Sequence, residues 1–211
     1  MIFFIVNVDG KIALISVYDK SNLEGLVEAL TRHGYTIISS SGTARKIREL
    51  GFKVIELTDY TGYPESPGGL VKTLHPKIHG GLLLNPQIPS HKIYMDKLNI
   101  KPIDILVVNL YPFEHAVMEG KLSLREAAEY IDIGGPALIR AAAKGALLNG
   151  RPAVVTEPAQ YPLIIRELKL NNGLISKDLI LKLAFTAFKK SMLYDHVIVK
   201  FLGEIYGLEE A

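Results

Sequence analysis

Tyr35-Thr36-Ile37-Ile38-Ser39-Ser40-Ser41-Gly42-Thr43 decides the fold of this 211-residue chain. Tyr35 to Ser39 is rich in β-branched residues and reads as a strand. The small polar turn Ser40 to Thr43 then opens a helix from Thr43 to Leu50, stopped by Gly51. The same alternation lies on either side. Upstream, Ile12 to Val17 reads as a strand, Ser16-Val17-Tyr18-Asp19-Lys20-Ser21 as its exit, and about Asn22 to His33 as a helix ending at Gly34. Ser21 and Glu24 have the spacing of a capping box. Downstream, Phe52 to Leu57 reads as another strand. Strand, turn, helix, strand is a βαβ series, which predicts an α/β fold with a parallel sheet and right-handed crossovers. Ligands of such sheets sit beyond the carboxyl ends of the strands. That rule puts Ser16, Lys20 and the Ser40–Thr43 turn on one rim.

The rim chemistry suits an anion. Hydroxyls, a glycine that lets a ligand approach the backbone, and the free amides of a helix start all favour phosphate, and Lys20 adds a positive charge. A single turn of this kind is usually only a cap, but two on one edge, one carrying a lysine, strengthen the reading. A further cationic stretch, Leu70-Val71-Lys72-Thr73-Leu74-His75-Pro76-Lys77-Ile78-His79-Gly80-Gly81, follows a loop rich in Tyr, Pro and Gly from Tyr60 to Gly69. Composition alone leaves this stretch equally open to being a solvated basic turn. His75 and His79 stand four apart, but Pro76 follows His75 directly and no glutamate does, so no metal site is expected.

Beyond it, Asn85 to Tyr94 reads as a loop, and the near-continuous apolar run Ile103 to Leu110 as a strand buried on both faces. That strand delivers Asn109-Leu110-Tyr111-Pro112-Phe113 to the same edge. Ser123 to Ile131 reads as a short helix with capping-box spacing at Ser123 and Glu126. In Asp132-Ile133-Gly134-Gly135-Pro136, the proline marks a helix start. Asp132 and Lys144 fit a structural ion pair or an acid/base pair, and spacing leaves both open. Ala153 to Thr156 is a further strand, Glu157-Pro158 opens another helix, and Ser176 to Gly207 reads as one or two long amphipathic helices. At the other end, Ile2 to Val8 joined through Asp9-Gly10 predicts a hairpin partner for Ile12–Val17.

Composition narrows the classes. A net charge of +2 argues against a general nucleic-acid or membrane surface, so any positive field is local. The absence of cysteine excludes thiol nucleophiles, disulfides and zinc–thiolate sites, and points to a cytoplasmic address. Met1 to Val8 is too short to span a membrane and lacks a basic region before it. The length fits one domain, 1–211, read as an α/β core over 1–165 and a helical C-terminal segment over 166–211.

Five strings now stand together: Ser16-Val17-Tyr18-Asp19-Lys20, Ser41-Gly42-Thr43, Gly68 to Pro76, Asn109 to Phe113, and Asp132-Ile133-Gly134-Gly135 through Ala143-Lys144. In order and spacing, over about Lys11 to Leu163, they resemble the inosine-monophosphate (IMP) cyclohydrolase domain of the bifunctional purine-biosynthesis enzyme. The resemblance implies a methylglyoxal-synthase-like, three-layer α/β/α fold with a mainly parallel sheet. It implies dehydrative ring closure of 5-formamidoimidazole-4-carboxamide ribonucleotide (FAICAR) to IMP, with no cofactor, in a homodimer. It implies catalytic roles for Lys72, Tyr111, Asp132 and Lys144. It also implies nucleotide-binding roles for Ser16, Lys20, Ser40, Ser41, Gly42, Thr43 and Thr73, with Asn109, Ile133, Gly134 and Gly135 completing the site. Leu70 departs from the family's usual arginine and Tyr18 from its usual serine. The formyltransferase domain is missing from the chain as read, so the resemblance implies a separate formyltransferase as supplier. A methylglyoxal synthase is disfavoured, since its own aspartate setting is not found. A non-catalytic regulatory module of the same fold would explain the phosphate turns but not Lys72, Tyr111, Asp132 and Lys144 together.

Overall fold

The computed structural model describes residue 8, residues 10–118 and residues 122–207. In chain order the elements are β1 (Lys11–Val17), α1 (Leu23–Arg32), β2 (Tyr35–Ser39), α2 (Ser41–Glu49), β3 (Ile55–Glu56), α3 (Leu57–Thr61), α4 (Pro76–Leu83) and α5 (Pro89–Lys97). They continue with β4 (Ile105–Asn109), α6 (Phe113–Met118), α7 (Leu124–Glu129), α8 (Gly134–Asn149), β5 (Ala153–Val155), α9 (Tyr161–Leu170) and α10 (Lys177–Tyr206). The strands form one sheet in the order β3-β2-β1-β4-β5, every pair parallel. From β1 the chain winds outward through β2 and β3, then returns to the other side for β4 and β5. With right-handed crossovers this puts helices on both faces of the sheet, giving three α/β/α layers. The reversal leaves a crevice between the carboxyl ends of β1 and β4, where open α/β sheets take their ligands.

Burial explains the elements. Ile12 to Ile15 and Ile105 to Leu106 are fully buried, as strands covered on both faces must be. Leu23, Leu26, Val27 and Leu30 form the inward stripe of α1, which packs against α9. On the opposite face α8 packs against α4 and α10, and its Ala142, Ala143 and Ala146 keep that contact close. The core runs without a break from Val8 to Tyr194, so the division read at 165/166 falls inside α9 rather than in a linker.

Several local expectations are corrected. No capping box forms at Ser21 and Glu24: the Ser21 amide donates to Asp19 Oδ1, and Asn22, in the left-handed conformation, precedes α1 instead. The box at Ser123 and Glu126 is present. The polar turn Ser40–Thr43 is mostly helix, because α2 begins at Ser41. The expected loop Asn85–Tyr94 contains the start of α5, with Pro89 preset at its first turn. The strand read over Phe52–Leu57 shrinks to Ile55–Glu56, and α10 is one continuous helix. The strand expected at Ile2–Val8 lies outside the described residues apart from Val8.

At the opposite end of the sheet Asp104 ties three strands. Its Oδ2 accepts the Ile12 amide at 2.8 Å, its own amide donates to Ile12 O at 2.9 Å, and its carbonyl accepts Ala153 N at 3.0 Å. Burial raises the Asp104 carboxyl above its usual range, against the pull of the Ile12 amide and of Arg151 and Lys11. Asp104→Ala is expected to cost roughly 2 kcal/mol by leaving the Ile12 N–H unpaired, and Asp104→Asn less. A raised carboxyl means that the folded chain binds more protons than the unfolded one. This group's contribution therefore falls as pH rises above about 4 through the folded value, and Asp104→Asn removes that step. Urea titrations of the three proteins at several pH values check this; an alanine variant as stable as the parent would contradict it.

Candidate active site

Thr43 locks the floor of the crevice. Its hydroxyl donates to Val17 O and accepts Val17 N, both at 3.1 Å, fastening the end of β1 to the first turn of α2. Ser16 Oγ and Ser40 Oγ lie 3.0 Å apart across the same junction. Ser40, the residue preceding α2, makes no side-chain cap. The first amides of α2 therefore have no intrahelical or capping acceptor and are open to an anion. Lys20 reaches the crevice from the loop after β1, its Nζ donating to Tyr18 O at 3.1 Å. Asn109, at the end of β4, fixes that loop: its Oδ1 accepts the Tyr18 and Asp19 amides at 2.7 and 2.9 Å, and its Nδ2 donates to Asp19 O at 2.9 Å.

Above this floor lies an open cavity of about 480 Å³. Ser16, Lys20, Ser40, Gly42 and Thr43 line one side. Lys72 and Thr73 come from the loop before α4, and Asn109 and Tyr111 from the end of β4. Asp132, Ile133, Gly134 and Gly135 close it at the start of α8. The Tyr111 ring stacks on Tyr130 (centroids 5.3 Å apart, 23° between planes) and meets Tyr18 edge-on at 4.6 Å. Tyr130 had no sequence signal, because its neighbours in the chain are unremarkable and only the fold brings it to Tyr111. Leu70 sits exposed at the mouth.

Asp132 starts α8. Its Oδ1 accepts the Gly135 amide at 2.9 Å, and this bond begins the helix at Gly134, two residues before the start expected at Pro136. A Cβ on Gly135 would stand 2.4 Å from Asp132 Oδ2, and one on Gly134 would stand 2.4 Å from Thr73 Oγ1. Both glycines are therefore required by close approach rather than by backbone angles. Tyr194 of α10 holds the turn from outside: its hydroxyl accepts Asp132 N at 2.8 Å and lies 3.4 Å from Tyr130 O.

Two expected site residues stand apart. Ser41 does not line the cavity; its Oγ donates to Glu65 at 2.7 Å. Lys144 is exposed on α8, also outside the cavity, and no ion pair joins it to Asp132 among the described residues. Ten residues of helix beyond Gly134 amount to about 15 Å along the axis.

The histidines of the cationic stretch brace it. His75 precedes α4, and its Nδ1 accepts the Lys77 amide at 3.1 Å. His79 bonds the Thr73 backbone, while its Nε2 is buried without a partner among the described residues. Lys77 is buried with its Nζ on Tyr60 O at 2.5 Å. Burial, and then the Lys77 charge, hold His75 below the usual histidine value; burial does the same to His79. Below about pH 6.5 the unfolded chain binds protons that the folded chain refuses, so stability falls on acidification. His75→Asn keeps a capping acceptor and removes one of these titrations. Between pH 7 and 5 its urea midpoint is expected to drop less than the parent's; parallel drops would count against this account.

Residues 22–137 match the family described as the MGS-like domain. The bifunctional purine biosynthesis protein PurH of Persephonella marina is 46% identical over 201 residues, covering 95% of this chain and 38% of that protein. PurH of Trichodesmium erythraeum is 43% identical over 195 residues, 92% of this chain and 37% of the relative. The chain thus spans a little over a third of the length of these curated relatives. A solved structure titled as that of ForH superposes with a TM-score of 0.80 at 30% identity, over 92% of this chain and 100% of that one. No helix among the described residues is long and apolar enough to cross a membrane.

Proposed function

Because this chain belongs to the family of MGS-like domains, we propose that its rim cavity is the active centre of a cytoplasmic IMP cyclohydrolase acting in purine biosynthesis. One observation carries the reading: Lys72, Tyr111 and Asp132 share a single cavity with the open first turn of α2, at the switch point of a parallel sheet. The names of the PurH relatives, similar over nearly all of this chain, support it. In this reading 1–211 is one catalytic domain, and its substrate FAICAR is the product of a formyltransferase.

The 5′-phosphate of FAICAR lies against the α2 amides and Lys20, and the imidazole ring against Tyr111 and Tyr130. Held so, the carboxamide nitrogen faces the formyl carbon, and much of the barrier is met by positioning. A C–N bond forms as the formyl C=O becomes an alkoxide, whose charge Lys72 stabilises. Asp132 takes one proton from the attacking nitrogen and passes it to the alkoxide; the C–O bond of the resulting carbinolamine then breaks as the formamide N–H gives up its proton, so a C=N bond forms and the oxygen leaves as water. Tyr111 stands on the ring as a stacking surface. No step calls for a cofactor.

The purified protein is expected to convert FAICAR to IMP, followed by absorbance, and Lys20→Ala to weaken IMP about tenfold or more while leaving inosine nearly unchanged. Folded protein that turns over no faster than the spontaneous closure would reject the assignment. Equal losses for nucleotide and nucleoside would remove only the phosphate seat.

The active form is proposed to be a homodimer. Leu181, Phe185 and Met192 of α10 are 49, 72 and 60% exposed, an apolar outer face rather than core cover. Phe188 of the same helix packs on the core instead. On α8, Lys144 shares its outer side with exposed Leu147 and Leu148, at the three- and four-residue spacing of one helical face. In this reading Lys144 takes up its acid–base role in the dimer. Light scattering is expected to give twice the chain mass at micromolar concentration; a monomer that still turns over would overturn this.

A further inference from the structure

Behind Lys72, on the side away from the ligand cavity, lies a second cavity of about 380 Å³ that includes Glu65, Tyr63 and His75 in its lining. Lys72 lines both cavities, whereas Glu65 lines only the second. Glu65 Oε1 stands 3.7 Å from Lys72 Nζ, and Oε2 accepts the Ser41 hydroxyl at 2.7 Å. One carboxylate therefore spans the first residue of α2 and the lysine of the loop before α4. The backbone is shaped to let it pass. Gly69 has φ +68°, and a Cβ there would stand 2.7 Å from Glu65 Oε1 and 3.4 Å from Lys72 Nζ. The turn under it is closed by Gly69 N to Ser66 O at 2.8 Å and Val71 N to Ser66 Oγ at 3.3 Å.

We propose that Glu65 is the positioning residue of Lys72, anchored by Ser41, and that the Ser41 side chain serves the site through this carboxylate rather than by touching the nucleotide. The inference rests on the cyclohydrolase reading for its kinetic test only. Both partners of the pair are about a third exposed, so its contribution to stability is small. What it fixes is direction. A lysine stem has four rotatable bonds, and an ammonium left to solvent samples many positions. With Glu65 holding it from outside the ligand cavity, Lys72 keeps its place in the wall between the two cavities, without a carboxylate competing for the ligand's oxygens. Misplacing a group by an ångström costs far more rate than binding.

Glu65→Gln keeps an acceptor for Ser41 and removes the charge beside Lys72. Its kcat is expected to fall about tenfold with KM within about twofold and an unchanged melting temperature. Ser41→Ala, which frees the carboxylate but leaves its charge, is expected to lose about threefold. In a Lys72→Ala background Glu65→Gln should cause no further loss, since groups acting as a unit are not additive. A Glu65→Gln protein with the parent's kcat, or one losing the same factor without Lys72, overturns the proposal. A parent protein without turnover defeats the functional reading instead, and a second measurement still decides this one. After reductive methylation with ¹³C-formaldehyde, the Lys72 methyl resonance, identified by its loss in Lys72→Arg, should move in Glu65→Gln and less in Ser41→Ala. A Lys72 resonance indifferent to Glu65→Gln overturns the proposal equally.

Discussion

The central strand hydrogen-bonds along both edges, to β2 from Lys11 to Ile15 and to β4 from Ala13 to Val17. Everything at the site follows from that double pairing. Two strands wound in opposite directions from one origin leave their exits splayed, and no further strand can enter between them. The end of β1 is thus held open to solvent while its body is fully buried. Rigidity below and access above are what a small-ligand site needs.

Much of the polar chemistry at that opening holds the protein together. Thr43 spends its hydroxyl on Val17, Asn109 spends its amide on the 18–19 backbone, and Asp132 spends one oxygen on Gly135. The first two tie one wall-bearing segment to another, and the third shapes the start of α8. Among the described residues the first amides of α2 receive no side-chain cap from Ser40, and they are suited to an incoming anion. Residues that look alike in a motif therefore divide, on folding, into those that build the crevice and those that face into it.

Strand and helix alternation was legible because burial on both faces writes itself as apolar runs, as in Ile12–Val17 and Ile103–Leu110. The rim followed from topology alone, and most of the residues read onto it line one cavity. What the sequence hid was decided by contacts across long separations. Ser21 has the right neighbour for a cap, but Asp19 takes its amide first. Ser41 reads as part of an anion turn, yet Glu65, distant in sequence, claims its hydroxyl. The fold-level comparisons agree with the parallel α/β/α reading, which depended on pattern rather than on any single contact.

The cavity draws its walls from the ends of β1 and β4, the start of α2, the loop before α4 and the start of α8, stretches scattered from Ser16 to Leu138. An occupant touching all of them is a cross-link made without covalent chemistry. It ties together segments that the chain otherwise joins only through the sheet and a few side chains. Since it binds the assembled walls and not the separated ones, ligand at a hundred times its dissociation constant would add about 2.7 kcal/mol to the folded state. For a chain whose net stability is of the order of 10 kcal/mol, that is a substantial share. The concentration of that ligand around the protein would then set how long the folded chain survives.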